Sequence, residues 1–310
     1  MLRRFYGGVH PIEHKDLTEQ KTALPLSEAP AQVVIPLSMN GGAPCLPLVA
    51  EGETVKVGQL IAQPQGLGAP IHASVSGTVS AVEDRSYGRG GRMLSVVIDN
   101  DFQDAPCPEG KRRNSAAGLT GGEIGKLIED AGIVGMGGAG FPTYAKLKGA
   151  VGKIDTLIVN GCECEPYITS DYRLMLERGE AVIGGARLLG KVLGVQKTVV
   201  AVETNKPDAI ELLRAQAEGK DDLHIQPLRT RYPQGSEKQL IQMLTGRRIP
   251  SGKLPVEVGC LVSNVATAAA VWDAVMEGKP LTRRYVTVTG GALRQPVNLI
   301  APVGTPVSWL

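Results

Sequence analysis

Short apolar runs separated by turn residues dominate the first third of the chain. Val, Ile and Leu cluster or alternate within each run, whereas Gly, Pro, Asp and Asn stand between runs, which is the pattern of short β-strands joined by tight turns. The runs are QVVIPL, PCLPLV, ETVKVGQLIAQP, SVSGTVSAVED and MLSVVIDN. They predict a small β-barrel or sandwich over residues 31–100, with an extended leader over 1–30 and a polar linker over 101–118.

The apolar positions take up a helical spacing after the linker. Thr120 and Glu123 form a capping-box signature, and Ile124, Leu127 and Ile128 follow at helical intervals. Helices and apolar strands then alternate, which predicts an α/β unit with a mostly parallel sheet over 119–280. The predicted elements are helix 142–149, strand 156–160, a long helix near 171–194, strand 198–203 and helix 208–218. The pattern returns to β over 281–310, which predicts the start of another small β-unit.

Composition and charge narrow the class of protein. The chain has 33 basic and 31 acidic residues and a net charge of +2, so it lacks the strong positive field of a nucleic-acid-binding protein. Its apolar runs are too short for a membrane span, and the N-terminus lacks the apolar core of a signal peptide. The five cysteines include no CxxC pair, which argues against a zinc ribbon or an iron–sulfur cluster held by this chain alone.

A glycine-rich segment over 135–143, GMGGAGFPT, is the strongest local signal. Its glycines fit G-x-G-x-x-G, but the residues before it are predicted to be helical, so the ordinary dinucleotide-binding assignment fails. Several glycines before a helix opened by Pro142 nevertheless expose amide groups to an anion and let a flat ring lie against the backbone. Lys146 lies one turn into that helix. A glycine-rich turn without a ligand remains the alternative.

A second segment, VNGCECEP over 159–166, follows a predicted strand at its carboxyl end, where open α/β sheets bind ligands. Glu163 and Glu165 would point to the same side in an extended chain, and two carboxylates there suit ribose hydroxyls or an amide. Cys162 and Cys164 invite a metal or redox interpretation. A CxC pair without two further ligands favours packing residues instead.

Four motifs in this order resemble the flavin-binding core of the NADH-oxidising subunit of respiratory complex I: GMGGAGFPT with Lys146, VNxxExEP, GSE over 235–237 and SNVAT over 263–267. The leader FYGGVHPIEHKDLT and a barrel-sandwich module of the biotinyl/lipoyl type are not part of that protein. They are similar to the RnfC family of Rnf-type electron-transport complexes, whose members carry both parts in one chain. The resemblance implies an α/β fold with an N-terminal barrel-sandwich, a central FMN-binding domain and the start of a C-terminal β-grasp module.

The hairpin of the barrel-sandwich module lacks the feature that would make it a carrier of a prosthetic group. Residues 66–77 contain no lysine, so we expect no covalent attachment and a structural role for the module. His72 is the polar exception in this stretch, and a structural histidine is favoured over a ligand.

The resemblance implies non-covalent FMN and NADH as substrate, with no catalytic side chain because the flavin carries the hydride chemistry. The FMN-binding residues that it implies are Gly135, Gly137, Gly138, Lys146, Asn160, Glu163, Gly235, Ser236, Glu237, Ser263, Asn264 and Thr267. The NADH-binding residues are Phe141, Glu165 and Glu237. No metal site is expected in this chain. The family's [4Fe–4S] motifs are absent here and are expected only in a longer chain with a ferredoxin-like domain.

The function implied is electron transfer between NAD(H) and partner subunits, coupled to ion translocation, by a cytoplasmic protein at the inner face of the cell membrane. Met136, Cys162 and Ser236 depart from the complex I pattern, which has arginine, aspartate and glutamate there. These departures support the alternative of a non-catalytic docking subunit with a degenerate flavin site. A related soluble reductase, such as the cobalamin reductase of propanediol-using bacteria, is a third hypothesis, against which the long N-terminal region counts.

Overall fold

A computed structural model of the chain describes residues 5, 7–26, 29–88, 90–108 and 110–310. Part of the predicted leader therefore lies outside the described residues. Its described part contains a 3₁₀ turn, Lys15–Leu17, and a two-residue strand β1, Leu24–Pro25. The other described residues of the leader follow an irregular path and contact loops that are distant in sequence.

The β-runs after the leader form the predicted small β-unit. An antiparallel sheet in the order β2-β8-β7-β4 lies with a second sheet, β3-β5-β6, around one apolar core. In β2 alternate residues are buried, as expected when one face of a strand packs inward. The strands are β2 (Gln32–Pro36), β3 (Cys45–Pro47), β4 (Thr54–Val55), β5 (Leu60–Pro64), β6 (Ile71–His72), β7 (Gly77–Ser86) and β8 (Arg92–Asn100).

The central unit is an α/β layer structure built on a four-stranded parallel sheet in the order β11-β10-β9-β12. Because all four strands are parallel, their carboxyl ends and the loops that follow them share one edge. The strands are β9 (Thr156–Gly161), β10 (Lys197–Glu203), β11 (Leu223–Leu228) and β12 (Cys260–Asn264). The helices are α1 (Gly121–Asp130), α2 (Thr143–Ala150), α3 (Ser170–Glu177), α4 (Gly179–Leu193), α5 (Pro207–Ala217), α6 (Glu237–Thr245) and α7 (Val265–Trp272).

The structure confirms some of the predicted helices and corrects others. The capping box of Thr120 and Glu123 is formed in both directions at the start of α1. The long helix predicted near 171–194 is wrong, because Arg178 leaves the helical conformation and divides it into α3 and α4. The guanidinium of Arg178 donates two hydrogen bonds to the Asp273 carboxylate, at 2.6 and 2.7 Å, which fixes the break.

Two strands of the parallel sheet were not predicted. β11 alternates polar and apolar residues and contains a proline, and it lies at the edge of the sheet. β12 covers the first residues of the SNVAT motif, and the helix that follows begins at Val265. The α7 helix then continues into a π-helical turn, Asp273–Glu277.

The C-terminal β-unit is a hairpin of β13 (Arg283–Val288) and β14 (Val297–Pro302). β1 of the leader pairs in parallel with β14, so this three-stranded sheet is built from both ends of the chain. Within the described residues, none of the helices is both long and apolar enough to cross a membrane.

Candidate functional site

The four motifs meet at the carboxyl edge of the parallel sheet. Asn160, at the end of β9, donates through Nδ2 to the carbonyl of Gly235 at 2.9 Å. Lys146 of α2 reaches Glu237 at the start of α6, with Nζ 3.4 Å from Oε1. The amide of Met136 in the glycine segment donates to Thr267 Oγ1 on α7 at 2.9 Å. Residues far apart in the chain are thus joined in pairs by direct contacts.

The glycine loop, residues 135–141, is a closed turn with free amides at its tip. The amide of Gly135 donates to the Phe141 carbonyl at 2.8 Å and closes the turn. Gly138 has φ +129°, which an L side chain rarely adopts, and it is exposed. No described residue accepts a hydrogen bond from the amides of residues 137–140. The loop therefore presents several N–H groups and little side chain to whatever lies against it.

Lys146 stands beside this loop as a positive charge. Its ammonium donates to the carbonyl of Val262, in β12, at 2.7 Å and lies near the Glu237 carboxylate. Both side chains of the Lys146–Glu237 pair are 40% exposed, so the pair is accessible from solvent. An exposed ion pair of this kind contributes little stability and is easily exchanged for another anion.

Gly235 is fixed from two sides and admits no side chain. A Cβ on this residue would lie 2.3 Å from the carbonyl oxygen of Cys162, closer than real contacts allow. The Gly235 amide donates to Cys164 Sγ at 3.4 Å, while its carbonyl accepts from Asn160. The segment before α6 and the loop after β9 are therefore packed backbone to backbone. The hydroxyl of Ser236 does not cap α6.

Glu163 and Glu165 do not point to the same side, contrary to the prediction. The chain leaves the extended conformation after β9, and Glu163 turns inward with 7% exposure while Glu165 is exposed. A Glu163 oxygen accepts from the amide of Asp171 at 2.8 Å and so caps the first turn of α3. The negative charge of the exposed Glu165 carboxylate raises the pKa of Tyr232.

Asn264 and Asp171 connect the SNVAT motif to α3. Asn264 accepts from the Ala266 amide at 2.8 Å as the cap of α7, and its Nδ2 donates to Asp171 Oδ2 at 2.6 Å. Burial, and then the neighbouring Glu163 carboxylate, raise the pKa of Asp171 to about 7. A carboxyl group that titrates near neutrality thus lies directly behind Asn264.

The cysteines of the segment after β9 are buried or half-buried thiols. Burial raises the pKa of Cys162 well above its ordinary value, and burial likewise raises the pKa of Cys164. Among the described residues, no group of three or more His, Cys, Asp or Glu side chains is arranged to hold a metal ion. His72 of the barrel-sandwich is buried where this module meets α1, next to Asp130, and burial lowers its pKa to about 4.

The donor set at the sheet edge fits a phosphate-bearing flavin. Besides the free amides and Lys146, two buried polar atoms have no partner among the described residues: Thr143 Oγ1, at the start of α2, and Gln234 Nε2, beside Gly235. Unpaired buried polar groups are costly, so these two are candidates for contact with a ligand, whereas three further such atoms, in Arg85, Gln216 and Thr289, lie outside the motifs. Sequence reasoning missed Thr143, Gln234 and Asp171, although the first two lie inside or beside the quoted motifs.

A cavity of about 670 Å³ lies elsewhere, between α7, β13 and the linker. Trp272, Tyr285 and Arg284 line it, together with Met136 of the glycine segment and Ala266 of the SNVAT motif. None of the residues predicted to bind FMN or NADH lines this cavity. The cavity therefore adjoins the glycine segment and the SNVAT motif without containing their donor groups, and those donor groups are the better guide to a phosphorylated ligand.

Comparison with known proteins agrees with this architecture. Residues 128–273 match the profile of the Nuo51 FMN-binding domain, and residues 3–103 match that of the RnfC barrel sandwich hybrid domain. A crystal structure of an NAD⁺-reducing [NiFe]-hydrogenase is similar to 59% of this chain at 26% identity, with a TM-score of 0.51, over 36% of the hydrogenase chain. Fold and site therefore define a protein with a barrel-sandwich module and a flavin-domain α/β core, as the sequence predicted.

Relatives over the whole chain identify the family. The C subunit of the Na⁺-translocating ferredoxin:NAD⁺ oxidoreductase complex of Acetobacterium woodii is 44% identical over 97% of this chain and 68% of its own length. The C subunit of the proton-translocating complex of Clostridium ljungdahlii is 43% identical over 98% of this chain and 67% of its own. For the C subunit of the ion-translocating oxidoreductase complex of Pseudomonas aeruginosa the identity is 44%, over 40% of that longer chain. The protein belongs to this RnfC family, which confirms the resemblance seen in the sequence.

Proposed function

We propose that this chain is the flavoprotein part of an Rnf-type complex, which binds FMN without a covalent bond and passes electrons between NAD(H) and partner subunits. The observation that carries the proposal is the meeting of the four motifs at one sheet edge, which also carries the free amides of the glycine loop and the Lys146 ammonium. The proposal is supported by the relatives, two of which are named as C subunits of ferredoxin:NAD⁺ oxidoreductase complexes that translocate Na⁺ or protons. A peripheral position at the inner face of the cell membrane, and [4Fe–4S] clusters in longer chains, belong to the same proposal.

The glycine loop and its neighbours would hold the cofactor. The amides of residues 137–140 and the Lys146 ammonium offer donors to a phosphorylated flavin, and Thr267 keeps the loop in place through the Met136 amide. Asn160 and Gly235, joined to each other, would line the ring or the ribityl chain, with Ser236 beside them. Ser263 and Asn264, at the end of β12, would lie on the phosphate side.

Bound FMN would supply the hydride acceptor that side chains lack. The residues of this chain would orient the dinucleotide: Phe141 is exposed beside the glycine loop, and Glu165 and Glu237 present accessible carboxylates. Glu163 has a different task in this proposal. Its oxygen caps α3, so we assign it the support of the loop rather than direct contact with the flavin.

A docking protein with an empty site is the second candidate. Met136 takes the place of an arginine in the complex I pattern, and Lys146 is already engaged by Val262 and Glu237. Both features weaken the attraction of the site for an anion. This candidate predicts a folded protein that neither retains FMN nor reacts with NADH.

The visible absorption spectrum after FMN addition and desalting distinguishes the two candidates. The proposal expects flavin bands that persist and bleach when NADH is added without oxygen. A colourless protein contradicts the proposal for this chain. Flavin bands that persist but do not bleach would show that the chain binds FMN but does not bind NADH productively. Lys146→Met should weaken FMN binding about tenfold, the loss typical of one charge-assisted bond. The exposed Lys148→Met on the same helix is the control and should leave FMN affinity unchanged.

A further inference from the structure

Lys15 of the leader is a buried lysine whose ammonium lies inside the loop that carries Glu163 and Glu165. The side chain is 4% exposed. Its Nζ donates to the Glu165 carbonyl at 3.0 Å and to the Ile168 carbonyl, and it lies 3.9 Å from a Glu163 carboxylate oxygen. We define residues 162–169 as the Glu163 loop. A single cation from the beginning of the chain thus joins three points of this loop.

The loop needs such a donor because its backbone is irregular. It lies between β9 and α3, and Tyr167 has φ +69°, so the carbonyls of Glu165 and Ile168 are not used in a helix or a sheet. Lysine offers three donors and no acceptor, which suits two converging carbonyls and a carboxylate. Burial lowers the pKa of Lys15, and the Glu163 charge opposes that shift. The ammonium and the Glu163 carboxylate therefore depend on each other in a dry environment.

The leader contacts the same loop at further points. The Tyr167 amide donates to the Glu13 carbonyl at 2.8 Å, and the His14 ring stacks on the Tyr167 ring with centroids 4.7 Å apart. Thr18 Oγ1 lies 2.7 Å from Thr169 Oγ1, in a buried polar network. Asn298 of β14 completes the network by donating to the Thr18 carbonyl and accepting from Thr169. The leader thus holds the loop along most of its length.

The leader also holds the partner of Glu165. Val9 and Tyr232 exchange two backbone hydrogen bonds of 2.9 Å each. The charge of the exposed Glu165 carboxylate acts on Tyr232 and raises its pKa, and the backbone carbonyl of Glu165 accepts from Lys15. Both members of the Glu165–Tyr232 pair are therefore fixed by the same segment. The described hydrogen bonds of the leader do not reach the glycine loop, Lys146 or Thr267.

We propose that Lys15 is a positioning residue, which sets the Glu165 carboxylate against the nicotinamide dinucleotide by bracing the Glu163 loop. The inference rests on the proposed function, because it assigns Glu165 to the dinucleotide. It goes further by predicting which step depends on the leader. Since the leader braces the Glu165 side and not the glycine loop, loss of Lys15 weakens dinucleotide binding and leaves FMN binding unchanged.

The test compares Lys15→Met with Lys21→Met in the full chain. Lys21 is the matched control, because it lies in the same leader and also donates to a carbonyl, that of Pro296 at 2.8 Å, but it is exposed and away from the Glu163 loop. For Lys15→Met we expect the KM for NADH to rise about tenfold, with kcat changed less than about twofold and the FMN dissociation constant unchanged. For Lys21→Met all three constants should stay at their wild-type values.

A purely structural role for Lys15 gives a different result, namely parallel losses in FMN affinity, kcat and KM, and this outcome overturns the proposal. An unchanged KM overturns it as well. If Lys15→Met does not fold, Thr18→Val decides the question, because it removes one hydroxyl from the same brace. It should raise the KM about threefold without affecting FMN, and an unchanged KM overturns the proposal.

Hydrogen exchange of the amides of residues 165–171 separates this proposal from the proposed function, since it needs no flavin. Faster exchange in Lys15→Met, but not in Lys21→Met, supports the proposal that Lys15 holds the Glu163 loop in place. Unchanged exchange contradicts it. If the wild-type protein binds no FMN, the proposed function fails, and NADH binding measured directly on both variants then tests Lys15 alone.

Discussion

The glycine loop and the Glu163 loop lie at the same sheet edge, but they are stabilised in opposite ways. The Glu163 loop is held by buried groups: Lys15, the Glu163 carboxylate and the hydroxyl of Thr169. The glycine loop is exposed over residues 138–139 and is held by the turn bond of Gly135 and the bond from Met136 to Thr267. The amides of residues 137–140 have no partner among the described residues.

This difference indicates a division of labour between the two loops. Exposed amides are solvated, so they can exchange water for a phosphate or a flat ring at little cost. Buried charges carry a desolvation cost and persist only when their partners are fixed, so the Glu163 loop is rigid before any ligand arrives. One loop is available for binding, and the other sets the geometry around it.

The largest effect on stability is expected when the Glu163 loop loses its buried carboxylate. Glu163→Ala should lower the free energy of unfolding by about 3 kcal/mol, because it leaves the Lys15 ammonium buried without a carboxylate and the start of α3 uncapped. Glu165→Ala, which removes an exposed carboxylate from the same loop, should cost less than about 0.5 kcal/mol. Urea denaturation of the two variants measures the difference. Equal losses of unfolding free energy in the two variants would show that the buried carboxylate of Glu163 stabilises the protein no more than the exposed one of Glu165.

The second prediction concerns pH. Burial and Glu163 raise the pKa of Asp171 from its ordinary value of 3.8 to about 7, so the native state holds this proton at pH values where the unfolded chain has lost it. The contribution of Asp171 to the free energy of unfolding therefore falls as pH rises through this window.

In Asp171→Asn this fall should disappear, while the side chain keeps an oxygen to accept from Asn264. The free energy of unfolding of both proteins is measured by thermal or urea unfolding at three pH values, one below, one within and one above this window. A variant with the same pH dependence as the wild type would mean that Asp171 titrates normally.

The third prediction tests the anchor of the glycine loop. Thr267→Val removes the acceptor of the Met136 amide and should cost about 1 kcal/mol of stability, with FMN affinity reduced about tenfold. Thr267→Ser keeps the hydroxyl and should bind FMN nearly as the wild type does. Flavin fluorescence titration measures both. If valine and serine bind FMN alike, the anchor is not needed to shape the loop.

The smallest effect is expected at the contact between the Glu163 loop and the segment before α6. Cys164→Ala removes the sulfur that accepts from the Gly235 amide, a weak bond at 3.4 Å, and should change FMN affinity by about twofold or less. Cys107→Ala in the linker is the control. A loss of tenfold or more at Cys164 alone would give this thiol a larger part in the site than packing.

Local patterns in the sequence predicted the features that depend on neighbouring residues. The Thr120–Glu123 capping box, the alternation of strands and helices and the order of the motifs are all of this kind. The break at Arg178 was missed because it depends on Asp273, which lies far away in sequence. The inward turn of Glu163 was missed for the same reason, since the brace comes from Lys15. Contacts of this kind are set by the tertiary fold and leave no periodic trace in the sequence.

Hydrogen exchange with and without saturating FMN tests the central claim most directly, because it reports where the flavin binds. We expect FMN to slow exchange in residues 137–143, 160–165, 233–237 and 263–265, and to leave the cavity-lining residues between Trp272 and Tyr285 unaffected. Protection around that cavity, with the glycine loop still exchanging freely, would contradict the account.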